Sequence, residues 1–248
     1  MKTPSGSSIL PLAFVLAIVV ATVALSPLLT TPRPFPDNAS DLIEDGFEGK
    51  YRAFVKTTPL RNVDGEIEID MTPATLGTLL DRLNRWDMND EWMRGHYKWS
   101  HQNAPTERVE EELHNVRVRG WLKAVKYEKF DESGEDREGD NDFHLVISNY
   151  HYANSKERFF NVEVSGLPEL TGDDYDILHT TRTGMGEILD GINLPRGKYY
   201  KPTSPIRVEV EGSLYFDGSH YPNTVGPSGM RPKTVWEIHP VTSIRRLN

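Results

Sequence analysis

The chain has 248 residues, a formal net charge of −9 and no cysteine. This length is enough for one sizeable domain with its own hydrophobic core. The lack of cysteine excludes disulfides, thiolate metal sites and a cysteine nucleophile. All 37 acidic residues follow Thr31, so this part of the chain lacks the excess of basic charge that nucleic-acid binding requires. We therefore expect no nucleic-acid partner.

The N-terminal segment is strongly apolar. Residues 9–29 carry no charge, and an apolar run of about 20 residues is long enough to span a bilayer as a helix. Lys2 precedes this run and no other charge occurs before Arg33, so the N-terminus is expected in the cytoplasm and the C-terminal domain outside. We expect a single-pass anchor in the cell membrane. A cleaved signal peptide is the alternative, and it would leave a secreted or periplasmic protein.

Composition divides the chain into four parts: an anchor or signal segment (1–30), a Pro-rich linker (31–45), a helical Trp-rich region (46–112) and a β-rich domain (113–248). In the third part, leucines recur at helical spacing after Thr72 and Pro73. Thr72 is the expected N-cap of this helix, because Pro suits the first helical position.

Aromatic residues cluster after this predicted helix. Four of them are candidates for a ligand-binding surface, because rings stack on sugars, bases or peptides: Trp86, Trp92, Tyr97 and Trp99. The alternative is that the rings cover the helix and close one end of the following domain. This alternative is favoured, because aromatic side chains most often serve to bury area.

The β-rich part alternates between apolar and polar residues, which predicts five strands. The side chains expected on the inner faces are Val116, Val118, Leu122 and Ala124, then Phe143, Leu145 and Ile147, then Phe160, Val162 and Val164, then Ile206, Val208 and Val210, and finally Trp236 and Ile238. A helix, broken near residues 180–186, is predicted between the third and fourth strands. This order predicts a mostly β fold with minor α, a five-stranded Greek-key barrel of the OB type. A small open antiparallel sheet with a covering helix is the alternative.

Two residues predict irregularities in these strands. Gly120 lies inside the first strand, where a glycine often marks a bulge or a tight bend. Pro240 cannot donate a ladder hydrogen bond, so an edge, a bulge or the end of regular pairing is expected there.

Two loops could carry function. Residues 131–142 hold seven acids and one arginine, which predicts a solvated acidic hairpin loop. Calcium binding is the alternative, although the D-x-[DN]-x-[DN]-G pattern is lacking. Residues 216–234 form an unusually long loop, in which His220, Tyr221 and Arg231 are the candidate ligand-binding residues.

Two stretches carry a family resemblance. "GDNDFHLVIS" resembles a D-G-D-[YF]-H-L-V-L pattern, and "TVWEIHPVTSI" resembles an I-E-[LI]-H-P-V-L-x-I ending. Both occur in small exported bacterial proteins of uncharacterised function, with a G-rich loop that "NTVGPSGMRP" matches in part. The shared residues are Asp142, His144, Glu237, His239 and Pro240. The resemblance covers roughly residues 121–244 and implies a barrel fold and an exported location, but no reaction.

The last strand places Glu237 and His239 on one face, because they are two residues apart. With His144, they could form a metal or acid–base site, since two imidazoles and a carboxylate can hold Zn²⁺. The alternative, which is favoured, is that each histidine satisfies backbone groups in a loop or at a strand end, with Glu237 as a partner. No cofactor is specified by these patterns. The expected function is an extracytoplasmic binding or interaction module, with a metal-assisted hydrolase or an envelope-complex scaffold as alternatives.

Overall fold

The computed structural model describes residues 37–49, 52–72, 75–86, 88–96, 104–129, 140–169, 171–195 and 197–248. Within these residues, no helix combines the length and the hydropathy needed to cross a membrane. The predicted anchor at residues 9–29 lies outside the described residues. The same is true of Tyr97, Trp99 and positions 131–139 of the acidic loop.

Five strands close into a barrel in the order β2-β3-β4-β7-β6. Their bounds are β2 Asn115–Glu128, β3 Asp142–Ser148, β4 Phe159–Val164, β6 Ile206–Phe216 and β7 Trp236–Arg246. Neighbouring strands are antiparallel except for β4 and β7, which pair in parallel. The prediction of a mostly β fold with a closed five-stranded barrel is therefore confirmed. A two-residue pair, β1 Asp37–Asn38 with β5 Asn193–Leu194, lies beside it.

The predicted inner faces form the barrel core, with one exception. The expected side chains of β3, β4, β6 and β7 all belong to the core or pack against it. In β2 the register towards β3 shifts between Leu122 and Ala124, so that Val125 and Tyr127 enter the core and Ala124 does not. The inward prediction for Ala124 is wrong, because an irregularity reverses the alternation after Leu122.

The last strand does not end at Pro240. β7 continues to Arg246, and the register shifts in β6 occur around Gly212, opposite this proline. A Cβ at Gly212 would lie 2.4 Å from the Pro240 carbonyl oxygen, so a glycine is needed at this close approach. Of the three structures expected at Pro240, the one observed is therefore a bulge-like irregularity within a longer strand.

Among the described residues, four α-helices accompany the barrel: α1 Ala53–Thr57, α2 Leu76–Arg85, α3 Asp90–His96 and α4 Asp173–Ile188. Short 3-10 turns lie at Ala39–Leu42, Glu110–Glu112 and Gly218–His220. The N-cap of α2 is Thr75, whose side chain accepts from the Thr78 N–H, and not Thr72 as predicted. Helix α4 is continuous through residues 180–186, where a break was predicted.

The helical region and the barrel share one hydrophobic core. The leucines of α2 are buried against barrel residues, and Trp92 of α3 packs on Trp236 and Phe216 with ring centroids 5.0 and 4.8 Å apart. Helix α1 covers the outer face of β7. As a result, part of the outer face of the barrel is also buried.

Candidate metal centre

The buried outer face carries polar residues that alternate with the core residues of three adjacent strands. His144 on β3 lies directly opposite Glu163 on β4. The parallel pairing of Val162 with Ile238 brings the next residues, Glu163 and His239, to the same level of the sheet. Because successive side chains point to opposite faces, all of these groups lie outside the barrel core, and α1 packs against β7 on one side of them.

Glu163 is the centre of this arrangement. Its Oε1 lies 2.8 Å from Nδ1 of His144, and its Oε2 lies 2.8 Å from Nδ1 of His239. Glu237 Oε1 lies 3.6 Å from the same His239 nitrogen. The structure therefore brings His144, Glu237 and His239 together through Glu163, and sequence reasoning missed this residue. The available signal was a single acid in the apolar strand "RFFNVEV".

Asp142 completes what we call the carboxylate–imidazole cluster: Asp142, His144, Glu163, Glu237 and His239. Each of the five is at most 5 % exposed. One ligand atom from each of Asp142, Glu163 and His239 lies within 4.8 Å of the others. Within the described part of the chain, Asp142 Oδ1 and Glu237 Oε1 have no hydrogen-bond partner. Buried polar groups without partners are rare, and an unseen ion is one of their explanations.

The hydrogen bonds of Ser165 assign the tautomer of His239. The single hydroxyl proton of Ser165 is donated to the Lys56 carbonyl oxygen at 2.6 Å. The hydroxyl oxygen must then accept from His239 Nε2, which lies 3.0 Å away. In the neutral ring, Nδ1 consequently bears a lone pair.

This lone pair points into an anionic environment. His239 Nδ1 is 2.8 Å from a Glu163 oxygen, yet no hydrogen bond of acceptable geometry forms at this nitrogen among the described residues. Two acceptors this close repel each other unless a proton or a metal cation lies between them. Two ligands of one metal ion, each about 2.1 Å from it, are themselves separated by about 3 Å.

The ionisation of the cluster reflects its burial. Burial, together with the Glu163 carboxylate, raises the pKa of Asp142 and of Glu237 well above the usual range. Burial also lowers the pKa of His239, although the nearby Glu163 carboxylate acts in the opposite direction. Burial opposes the charge on Glu163, but the His239 and His144 imidazoles hold its pKa well below the usual range. Burial likewise opposes the charge on His144, whose pKa Glu163 nevertheless raises.

Two further pairs flank the cluster. Lys56 of α1 forms an ion pair with Asp140. Asp217 holds His220 through a 2.6 Å contact between Oδ2 and Nδ1. Asp142 was predicted to belong to a solvated loop, but it is buried as the first residue of β3 and is part of the cluster. The solvated-loop prediction is wrong at this end because Asp142 already belongs to the sheet, where it pairs with Glu128 of β2.

The other sequence candidates lie apart from the cluster. Trp86 is partly exposed and stacks on His114, with ring centroids 4.5 Å apart. Trp92 packs against the barrel core through Trp236 and Phe216. Tyr221 donates from its hydroxyl to Asp90 at 3.1 Å. Arg231 lines a separate cavity of about 450 Å³.

Chemically, the cluster offers one imidazole nitrogen and up to three carboxylates around a small buried volume. Imidazole suits Zn²⁺, Fe²⁺ and Ni²⁺, whereas carboxylate also suits Mn²⁺. The Ser165 and His144 contacts orient His239 and Glu163 in the way that outer partners orient metal ligands. When compared with family models, curated proteins and solved structures, the chain matches none of them.

Proposed function

We propose that this protein is an extracytoplasmic binding module whose barrel holds a divalent first-row transition-metal ion between Asp142, Glu163 and His239. The observation that carries the proposal is the 2.8 Å approach of the His239 Nδ1 lone pair to Glu163 Oε2. A cation between these atoms converts a repulsive contact into two metal–ligand bonds.

Charge balance supports a divalent ion. Asp142, Glu163 and Glu237 are three buried carboxyl groups, and among them burial disfavours simultaneous ionisation. His144 supplies one compensating charge through Glu163. A doubly charged ion supplies the rest, with Glu237 Oε1 placed to act as a fourth ligand.

The fold and location complete the proposal. The strand order, the parallel pairing of β4 with β7 and the position of α4 between β4 and β6 support an OB-type Greek-key barrel. The uncharged run at residues 9–29 supports an anchor with the barrel outside the cytoplasm. The mass of the mature N-terminus tests the anchor, and loss of about the first 26 residues would instead indicate a cleaved signal peptide.

Metal binding is tested on the full chain after dialysis against EDTA. Calorimetric titration with Zn²⁺ and Mn²⁺ should give one site per chain, whereas Mg²⁺ and Ca²⁺ should bind weakly because they prefer all-oxygen ligands. Glu163→Gln keeps the shape of the side chain but removes a charged ligand, and it should abolish binding. Glu209→Gln is the matched control, since Glu209 is also buried on a barrel strand but pairs with Arg119 and Arg245.

Two results would overturn the metal proposal. One is the absence of stoichiometric binding of any tested cation to the EDTA-treated wild type. The other is equal binding by the wild type and by Glu163→Gln, which would place the metal elsewhere. If neither EDTA nor Zn²⁺ changes the melting temperature of the wild type, the cluster is a structural network only.

A metal-assisted hydrolase is the second candidate, and Glu237 favours it. Its carboxyl group lies beside His239 and burial raises its pKa, so it can hold a proton next to a metal-bound water. Glu237→Gln should then keep the metal but lose hydrolysis of p-nitrophenyl acetate or bis-p-nitrophenyl phosphate. Metal binding without hydrolysis in the wild type would leave the binding module as the function.

A further inference from the structure

A cavity of about 450 Å³ lies where β4 begins and the loop before β7 ends. Its volume falls within the range of about 300–1,000 Å³ that is typical of small-molecule sites, which often occupy the mouths of β-barrels. The apolar part of the wall comes from Leu83, Met88 and Met93 of the helical region and from Phe159 of β4. Methionine adapts its shape to different ligands, so this wall suits an apolar group.

The opening of the cavity is basic, although the chain as a whole is acidic. Arg231 and Lys233 line it and are exposed. Within the described residues, neither cation has a carboxylate within ion-pair distance; the Arg231 Nε only donates to the Gly226 carbonyl oxygen at 3.4 Å. An anion at this opening would therefore meet two available cationic side chains.

The acids in the lining are already neutralised. Glu157 pairs with Lys123 at 2.8 Å. Asp90 pairs with Arg94, whose Nε donates to it at 3.0 Å. The lining thus combines an apolar wall with a positive opening, and no lining acid competes for Arg231 and Lys233.

We infer that this cavity binds a small apolar carboxylate, with its hydrocarbon or aromatic part against Leu83, Met88 and Met93 and its carboxylate at Arg231 and Lys233. The site is independent of the carboxylate–imidazole cluster, because none of its lining residues belongs to that cluster. It joins the Trp-rich region and the long 216–234 loop, which are distant in sequence.

The inference is tested with three probes that share one tail: 4-phenylbutyrate, 4-phenylbutanol and 4-phenylbutylammonium. The full chain in micelles is titrated calorimetrically, with empty micelles as the blank. The carboxylate should bind most tightly and the ammonium most weakly. The Arg231→Gln/Lys233→Gln variant should weaken carboxylate binding about tenfold or more and leave the alcohol unchanged. Lys201→Gln/Arg246→Gln removes the same charge from exposed positions elsewhere and serves as the control.

Methionine methyl NMR locates the binding. The resonances of Met88 and Met93 should shift on titration with 4-phenylbutyrate, while those of Met71 and Met185, which are buried elsewhere, should not. The inference would be overturned if the carboxylate, the alcohol and the ammonium bound with similar affinity. Equal weakening by the two double variants would also overturn it, as would methyl shifts confined to Met71 and Met185.

Discussion

Ser165 links His239 to the main chain of α1, because its hydroxyl accepts from the imidazole at 3.0 Å and donates to the Lys56 carbonyl oxygen at 2.6 Å. One hydroxyl group therefore influences two features. It helps to hold the short helix α1 in place, and it sets the tautomer of His239, the proposed metal ligand. A substitution of Ser165 should consequently change both the metal affinity and the packing of α1.

Ser165→Ala tests this dependence. Without the hydroxyl, nothing assigns the proton of His239 to Nε2, and metal affinity should fall about 10- to 100-fold, as is usual when an outer partner of a ligand is removed. Calorimetric titration with Zn²⁺ measures the change. Ser243→Ala, on the same strand as His239, is the control and should keep the wild-type affinity. Unchanged affinity in Ser165→Ala would contradict the assignment of the tautomer.

Lys56 and the proposed metal ion should act on the same carboxylates. Burial opposes the charge on Lys56, but Asp140 and neighbouring acids raise its pKa well above the usual range. Lys56→Met should therefore destabilise the EDTA-treated protein by about 3 kcal/mol, because it leaves a nearly buried carboxylate without its partner. Saturating Zn²⁺ should reduce this loss.

Urea unfolding with EDTA and with Zn²⁺ measures the effect of Lys56→Met. The exposed Lys198→Met serves as the control and should change stability little in either condition. If Lys56→Met lowers the free energy of unfolding equally in both conditions, then Lys56 and the metal ion do not act on the same carboxylates.

A second buried ion pair should dominate stability away from the cluster. Arg52 contacts both oxygens of Glu112 at 2.5 and 2.6 Å, and Glu112 is fully buried. Arg52→Met leaves this carboxylate buried without its main cation and should reduce the free energy of unfolding by about 3–5 kcal/mol. Arg117→Met breaks a more exposed pair with Glu211 and should reduce it by about 1 kcal/mol or less. Urea unfolding compares the two, and similar losses would contradict the role of burial.

His220 should make stability depend on pH. Burial opposes its charge, but the hydrogen bond to Asp217 raises its pKa to about 8. The stabilisation is fully present below the unfolded pKa of about 6.5 and is lost as the pH rises through the folded pKa. His220→Asn should therefore be less stable than the wild type at pH 6 and nearly equal to it at pH 9.

Solvent screening limits the size of this effect. The His220 side chain is 47 % exposed, so the difference at pH 6 should be about 1 kcal/mol or less. Urea unfolding at pH 6, 7.5 and 9 measures it. A difference that stays constant over this range would mean that the imidazole does not titrate against Asp217.

The strand faces could be read from the sequence because a strand that is buried on one side alternates at period two. Phe143, Phe160 and Trp236 accordingly lie in the core as expected. The alternation failed at Ala124, where the register shifts in a strand that pairs on both edges. It also gave no information about α1, whose five residues carry no clear helical signal.

The cluster depended on information that spacing does not contain. The spacing in the sequence placed Glu237 and His239 on one face. It also made His144 a candidate, but it did not show how His144 could lie close to the other two. Glu163 connects them, because β4 lies between β3 and β7 in the closed barrel.

The sequence by itself determined the strands, most of their inward-facing residues and the residue types available for chemistry, since these follow from local periodicity and composition. Only the tertiary structure decided that α1 covers β7 and that Glu163 lies between two imidazoles. Burial and pairing between distant strands are long-range properties, and they convert an ordinary polar face into a set of desolvated ligands.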